Sequence, residues 1–272
     1  MTRPQPITPS CYSLRLGPVN AFLLAIPGAL TLVDCGLPGN ADRIEQGLQC
    51  LGYSYNDLRH ILITHGHPDH AGSLSEIQAR SPQAQTSMHP LEAQLVRAGV
   101  GLHPDRPLRP APGLHNYILY QAIRVRTPAR IPPARVDREV HDGQHLAIGE
   151  GLTVIATPGH TRGHLSFLWH AHGGVLFVGD AASSLFGPGY SICYEDFPAG
   201  QRTLERIAQL PFQVACFGHG RPILRDADRR WSSAFEQVPT QDVVAAPEPL
   251  CHLPPPAAHV PPLSFREEVR LG

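Results

Sequence analysis

Lysine is absent from this chain of 272 residues, so all 22 basic side chains are arginine, set against 23 acidic ones for a formal net charge of -1. The arginines form no run or stripe, which argues against a nucleic-acid partner, because phosphate binding is built from clustered cations. Also missing is any apolar stretch approaching the roughly 18 residues that a membrane span requires. The opening residues, MTRPQPITPS, carry prolines where a secretory leader would place its apolar core. A soluble, cytoplasmic protein with no membrane partner is therefore expected. Six cysteines (Cys11, Cys35, Cys50, Cys193, Cys216 and Cys251) stand apart with no CxxC pair. That spacing suits reduced, mostly buried thiols better than a disulfide framework.

Short apolar runs punctuated by Gly and Pro alternate with helical patterns, the signature of a layered α/β domain. The runs at 12–16, 21–26, 30–34, 60–64 and 84–88 read as strands, as do those at 152–157, 165–170, 175–180 and 213–218. Helices are expected at 42–51, 68–80, 90–98, 201–210 and 226–238, each with apolar residues at a spacing of three to four that lays one face on a sheet. Both halves open with strands and continue with helices, so two β-then-α units facing each other would account for the order. Residues 99–135 are rich in Pro and Arg around one apolar patch, YILYQAI, and read as an insertion near the rim of a domain spanning 1–238. The tail, 239–272, is too proline-rich for regular structure.

Histidine is the excess, at 16 residues. The stretch ILITHGHPDHAG (61–72) places three histidines and an aspartate within six positions directly after an apolar run. Residues two apart in an extended segment point the same way, so His65 and His67 can converge on one ion. Asp69 and His70 fall at the start of a helix that Pro68 favours, and can reach a second ion beside the first. From the chain's own residue frequencies, HxHxDH arises by chance on the order of 10⁻⁵ per position, so the motif is fairly specific. Three further strand ends carry the same residue types: TPGHTRGH offers His160 and His164 on a Gly-rich turn, FVGDA ends on Asp180, and CFGHGRP holds His219 between glycines. Four strand ends tipped by His or Asp describe one rim of a sheet sandwich supplying ligands to a single site.

These motifs, in this order, resemble the metallo-β-lactamase-fold hydrolases, the superfamily that includes glyoxalase II-like enzymes, lactonases and thioesterases. The resemblance runs from about Tyr12 to Val238, excluding the tail and much of 99–135. It implies a four-layer αββα sandwich. It also implies that His65, His67 and His160 bind one divalent ion, that Asp69, His70 and His219 bind a second, and that Asp180 bridges both. His164 would support the site without ligating, and Asp34, in LVDCG, would buttress its loops. The remaining ten histidines lack partners at ligand spacing. Histidine-rich ligands suit Zn²⁺, while Asp69 and Asp180 tolerate Fe or Mn.

With two divalent ions, two carboxylates and a bridging hydroxide, a net charge of about +1 would face the open side, and the pKa of bound water would fall from 15.7 towards about 7. Such a site polarises a carbonyl and stabilises the oxyanion formed on attack. No protein nucleophile is then needed, and Asp69 would orient the hydroxide and pass a proton to the leaving group. Flavodiiron reductases of the superfamily carry Glu at the position of His67. A mononuclear-iron persulfide dioxygenase would use only His65, His160 and Asp180, and the second ligand set favours a dinuclear hydrolase over it. A metal-binding module without catalysis would be marked by lost ligands, and all seven are present. True β-lactamases of this motif type usually lack the bridging aspartate and are secreted. The nuclease branches carry a large insertion or a basic arm, and glyoxalase II proper has a basic helical C-terminal region unlike this tail. The expectation is thus hydrolysis of a small-molecule ester, thioester or lactone by a metal-bridging hydroxide. Tyr190 and Tyr194, in the loop after Asp180, are candidates to hold the substrate carbonyl. YILYQAI and SSLFGPGY hint at an acyl-chain pocket, and a homodimer is common among the proteins the chain resembles.

Overall fold

The computed structural model of the chain describes residues 3–235, so the proline-rich tail expected over 239–272 lies outside the described residues. The first strands, β1 (Gln5–Thr8), β2 (Cys11–Arg15), β3 (Asn20–Leu24) and β4 (Leu30–Val33), form an antiparallel meander. β3 and β4 are buried at every position, so both of their faces are covered. After α1 (Ala41–Cys50), β5 (Leu58–Leu62) pairs parallel with β4. Two short helices, α2 (Pro68–Ala71) and α3 (Leu74–Arg80), then lead to β6 (Gln85–Met88), parallel to β5.

One continuous helix was expected over 68–80, and the break at Gly72 and Ser73 has a local cause. The Ser73 hydroxyl donates to Leu37 O (2.6 Å) and accepts from Asn40 N–H (2.7 Å), tying this point to the loop after β4. Gly72 lets Pro38 pack where a Cβ would otherwise sit.

The segment 99–135 follows α4 (Pro90–Arg97) and is more regular than its composition suggests. It contains a short strand, β7 (Arg109–Pro110), and a helix, α5 (Leu114–Arg124), which holds the YILYQAI patch. β8 (Arg138–Glu139) then joins the edge of the first sheet beside β6, completing the order β1-β2-β3-β4-β5-β6-β8.

The second half supplies β9 (His145–Leu146), β10 (Leu152–Ala156), β11 (Leu165–Trp169) and β12 (Val175–Gly179). β13 (Ala182–Ser183) pairs with β14 (Gly189–Tyr190), and β15 (Cys193–Tyr194) pairs with β7, anchoring the insertion. After α6 (Phe197–Ile207), β16 (Val214–Phe217) pairs parallel with β12, and α7 (Ala227–Phe235) follows. The second sheet has the order β16-β12-β11-β10-β9. α6 begins four residues earlier than expected because the Asp196 carboxylate accepts from Ala199 N–H at 2.9 Å, an N-cap with Pro198 in the first turn.

Three apolar clusters define four layers. Ile44, Leu48, Leu74, Ile77 and Val96 pack α1, α3 and α4 onto the outer face of the first sheet. Phe22, Val33 and Leu62 meet Val154, Phe167 and Phe177 between the sheets, with the Phe22 and Phe177 rings 5.4 Å apart. Leu204, Ile207, Trp231 and Phe235 cover the far face of the second sheet. The order is α, β, β, α, as expected. In the second sheet β10, β12 and β16 run in the same direction, so their C-terminal ends share one rim.

Candidate metal centre

That rim collects the predicted residues. His65, His67, Asp69 and His70 follow β5, His160 follows β10, Asp180 follows β12 and His219 follows β16. Among the described residues three groups of three emerge, His65 with His67 and His160, Asp69 with His70 and His219, and His65 with His70 and Asp180, which overlaps both; in each the candidate ligand atoms lie within 4.8 Å of one another. In the first, His67 Nδ1 is 3.0 Å from His65 Nε2 and 2.9 Å from His160 Nε2. In the second, Asp69 Oδ2 is 3.2 Å from His219 Nε2 and 3.8 Å from His70 Nε2. Asp180 stands between them, Oδ1 at 3.5 Å from His70 Nε2 and Oδ2 at 3.6 Å from His160 Nε2 and 3.3 Å from His219 Nε2.

The outer nitrogens are tied down, which decides the nitrogen each ring turns inward. His65 Nδ1 meets Thr64 Oγ1 (3.0 Å), His160 Nδ1 meets Cys193 O (2.7 Å), His70 Nδ1 meets Asp34 Oδ2 (2.9 Å) and His219 Nδ1 meets Pro18 O (2.9 Å). Such partners fix ring orientation at metal sites. His164 differs: its Nδ1 meets Thr157 Oγ1 at 2.7 Å and its Nε2 accepts from Asp180 N–H at 3.0 Å. With both nitrogens engaged, it holds the backbone of Asp180 rather than facing an ion. Asp34 accepts from Thr64 N–H (2.9 Å) as well as His70, and does so from the left-handed backbone region (φ 58°), a strained conformation for a residue other than glycine.

The residues fit divalent-metal binding. His70 Nε2 and Asp180 Oδ1 are buried without a hydrogen-bond partner, a costly condition that a metal would relieve. Four donors at about 2.0–2.1 Å around a tetrahedral ion stand about 3.3 Å apart, close to the spacings here. Burial, first of all, pushes the His65, His67 and His160 imidazoles below their ordinary range, His67 to about 3, so these rings are neutral and have a lone pair to give. At His70 burial pushes the same way, but Asp180, Asp69 and Asp34 together outweigh it and raise the ring to about 9. His219 is raised as well, burial being overcome by Asp180 and Asp69. The Asp69 and Asp180 carboxyls lie well below their usual range, since the facing histidines outweigh burial.

Of the two tyrosines that are candidates to hold the substrate carbonyl, Tyr194 has a packing role instead. It is 1 % exposed, and its hydroxyl donates to Ala181 O (2.9 Å) and accepts from Ser191 N–H (2.8 Å). The hydroxyl therefore ties the loop after Asp180 to itself and has no reach for a carbonyl. Tyr190 is half-buried, its ring packed on Phe197 and Phe235, and it lines a cavity of about 280 Å³ with Asn116, Phe186 and Ile192. Glu92 escaped the sequence reading. Its carboxylate, on the buried face of α4, accepts from Gly66 N–H (2.8 Å) and Gly163 N–H (3.1 Å). The available signal was a charged residue placed within the apolar stripe that Ala93 and Val96 continue.

The sequence model of the Metallo-beta-lactamase superfamily matches residues 14–219, well over half of the chain. The chain is 33% identical over 184 residues to an uncharacterized protein, YobT, of Bacillus subtilis, a match covering 66% of this chain and 69% of that one. It is 30% identical to a hydroxyacylglutathione hydrolase of Rhodospirillum rubrum over 71% of this chain but 57% of that enzyme. Among solved structures, a metallo-beta-lactamase from Cronobacter sakazakii superposes with a TM-score of 0.61 at 25% identity, covering 80% of this chain and 81% of the other. The order of layers, the site on the strand-end rim and the matched stretch agree, and the chain belongs to the metallo-beta-lactamase superfamily.

Proposed function

We propose that the protein is a dinuclear metal-dependent hydrolase of a small acyl compound, a thioester first and an ester or lactone next. The observation that carries this reading is Asp180 standing between two complete sets of candidate ligands, His65/His67/His160 and Asp69/His70/His219. When bound there, two divalent ions, Zn²⁺ by ligand type with Fe or Mn tolerated, supply a water that is nucleophilic near neutral pH and an electrophile for the carbonyl. The chain's own part is to hold and orient. Asp69, whose side chain is 26 % exposed, is the ligand-set carboxylate nearest solvent, and its Oδ2 can take the proton of the attacking water and return it to the leaving group. His219, hydrogen-bonded to Pro18 O, keeps that carboxylate aimed.

The choice of an acyl substrate is supported from two sides. The hydroxyacylglutathione hydrolase above and a thioesterase, pkgB, of Emericella nidulans (25% identical, covering 78% of this chain and 48% of that protein) act on thioesters by their names. The 280 Å³ cavity adjoins the metal loops, since its lining residue Ile192 precedes Cys193, whose carbonyl holds His160. On the other side Ser184 N–H, between lining residues Ser183 and Leu185, donates to His219 O at 3.0 Å. Phe186 and Leu185 in the lining expose apolar surface, and so do Leu114 and Ile118 on α5, the helix that contributes His115 and Asn116 to the lining, which suits an acyl group. The persulfide dioxygenase alternative would leave the Asp69/His70/His219 set without a role.

The test is metal analysis of the purified protein together with a panel of acyl thioesters, hydroxyacyl-glutathiones, aryl esters, lactones and a β-lactam, run against Asp69→Ala. Two metal equivalents and acyl turnover that collapses in Asp69→Ala support the proposal. One iron with oxygen-dependent persulfide oxidation, or turnover undiminished in Asp69→Ala, overturns it.

A further inference from the structure

Glu92 joins two parts of the centre that come from different sheets. Gly66, which donates to its Oε2, lies between His65 and His67 on the loop leaving β5 of the first sheet. Gly163, which donates to its Oε1, lies between His160 and His164 on the loop leaving β10 of the second. One carboxylate thus spans the sandwich at the level of the candidate ligands. Neither glycine has a left-handed φ, so backbone conformation does not demand glycine at 66 or 163. Space is what is short: a Cβ on Gly163 would fall 2.7 Å from Glu92 Cγ, 2.8 Å from its Oε1 and 2.9 Å from His89 Nδ1, whereas one on Gly66 would sit tightly, 3.2 Å from Glu92 Oε2 and 3.3 Å from Val96 Cγ2.

A second carboxylate continues the contact, with Glu195 Oε2 accepting from Arg162 N–H at 3.0 Å, so the amides of 162 and 163 are held in succession. Nearer the strands, Leu165 N–H donates to Thr64 O at 2.9 Å. That bond closes the base of the two loops; farther out Glu92 bridges one loop to the other, while Glu195 N–H, donating to His160 O at 3.1 Å, ties the second loop to the segment after β15.

We infer that Glu92 is a positioning residue, a latch that holds the loops of His65/His67 and His160 at the separation one metal ion requires. The inference rests on the metal-centre reading above. A loop free to move must be ordered when the ion binds, and that cost is taken from affinity, so a latch of this kind acts on metal retention first and on turnover through it.

The experiment is zinc titration of metal-free Glu92→Gln against a chromophoric chelator, together with the visible spectrum of the cobalt-substituted protein. Glutamine keeps the shape and one acceptor but turns an NH₂ towards a backbone N–H. Expected are a roughly 10- to 100-fold loss of affinity for one equivalent of zinc, a far smaller change for the other, and altered cobalt bands. Gly163→Ala, which displaces the Glu92 side chain without removing it, should produce the same one-site loss and covers the case in which Glu92→Gln does not fold. Either folded variant retaining both zinc affinities and the wild-type cobalt spectrum overturns the latch. So does a lowered melting temperature of the metal-free protein with metal affinity unchanged, which would mark Glu92 as a packing residue only. Wild-type protein that takes up none of zinc, iron or manganese would instead show that the metal-centre reading itself is wrong.

Discussion

Asp34 Oδ2 lies 2.9 Å from His70 Nδ1, with both side chains shut off from solvent. The carboxylate fixes the imidazole so that Nε2, a buried atom with no other partner, points at Asp180 and Asp69. Asp34→Asn keeps the size of the side chain and tolerates the positive φ, but removes the charge. Chelator competition should show metal affinity lower by roughly 10- to 100-fold, with catalysis falling in step. Asp34→Ala should in addition cost about 1–2 kcal/mol of metal-free stability, because alanine has no local hydrogen bond to offset a left-handed backbone. Equal stability of the two variants would contradict the strain assigned to this position.

Metal loading must displace protons. In the metal-free protein His70 holds its proton up to about 9, its burial outweighed by Asp180, Asp69 and Asp34, and His219 is raised in the same direction. Since the folded values lie above the unfolded imidazole's, these two rings stabilise the metal-free fold fully below about pH 6.5, and the contribution fades as pH climbs through about 9. Metal-free protein should therefore melt at progressively lower temperature across that alkaline window, while the loaded protein, whose rings are already deprotonated, should not share the decline. Adding zinc near pH 7.5 in weak buffer should release about two protons per protein from these rings, and up to about one more from the water the ions would bind. A titration that releases none would be inconsistent with His70 and His219 as ligands.

Much of this was legible beforehand because the chemistry and the fold use the same positions. A strand that ends in His or Asp beside Gly is visible as text, so ILITHGHPDH, TPGH, FVGD and CFGH located the rim, and the apolar periods located nine strands to within a residue or two, while β1 and the two-residue strands β7, β8, β9, β13, β14 and β15 went unread. What stayed hidden depends on distant contacts. The break between α2 and α3 comes from Ser73 reaching Leu37 and Asn40, and the early start of α6 from a single Asp196 cap. Glu92 looked like one more polar residue in an amphipathic helix, because its partners are backbone amides that carry no residue type. Tyr194 shows the opposite case: nearness in sequence to Asp180 made it a candidate substrate contact beside a packing role, and the inward hydroxyl gives it the packing role.

The two tyrosines should accordingly separate. Tyr194→Phe strands Ser191 N–H and Ala181 O in a buried place, which costs on the order of 1–3 kcal/mol. Thermal melts should register a drop of several degrees at this chain length. Tyr190→Phe leaves the ring packed on Phe197 and Phe235, so its melting point should stay near wild type. Any change it produces should fall on KM for substrates that reach the cavity. The reverse pattern, a stable Tyr194→Phe with a specific catalytic defect, would restore Tyr194 as a substrate contact.

Gly218, between the end of β16 and His219, gives the sharpest steric test. A Cβ there would run into Asp180 Oδ1 and sit 2.7 Å from His70 Cε1, and neither neighbour can retreat far because His164 holds Asp180 N–H and Asp34 holds His70. One methyl group in Gly218→Ala should therefore push apart the bridging carboxylate and the His70 ring, lowering zinc retention by about tenfold or more at one site at least. Overpacking should cost about 1–3 kcal/mol besides. Gly189→Ala is the matched control: its Cβ would meet only Gly187 O at 3.9 Å, and its φ is not left-handed, so metal content and melting temperature should hold. If Gly218→Ala keeps two zinc ions as tightly as Gly189→Ala does, Asp180 and His70 do not share an ion in the arrangement described.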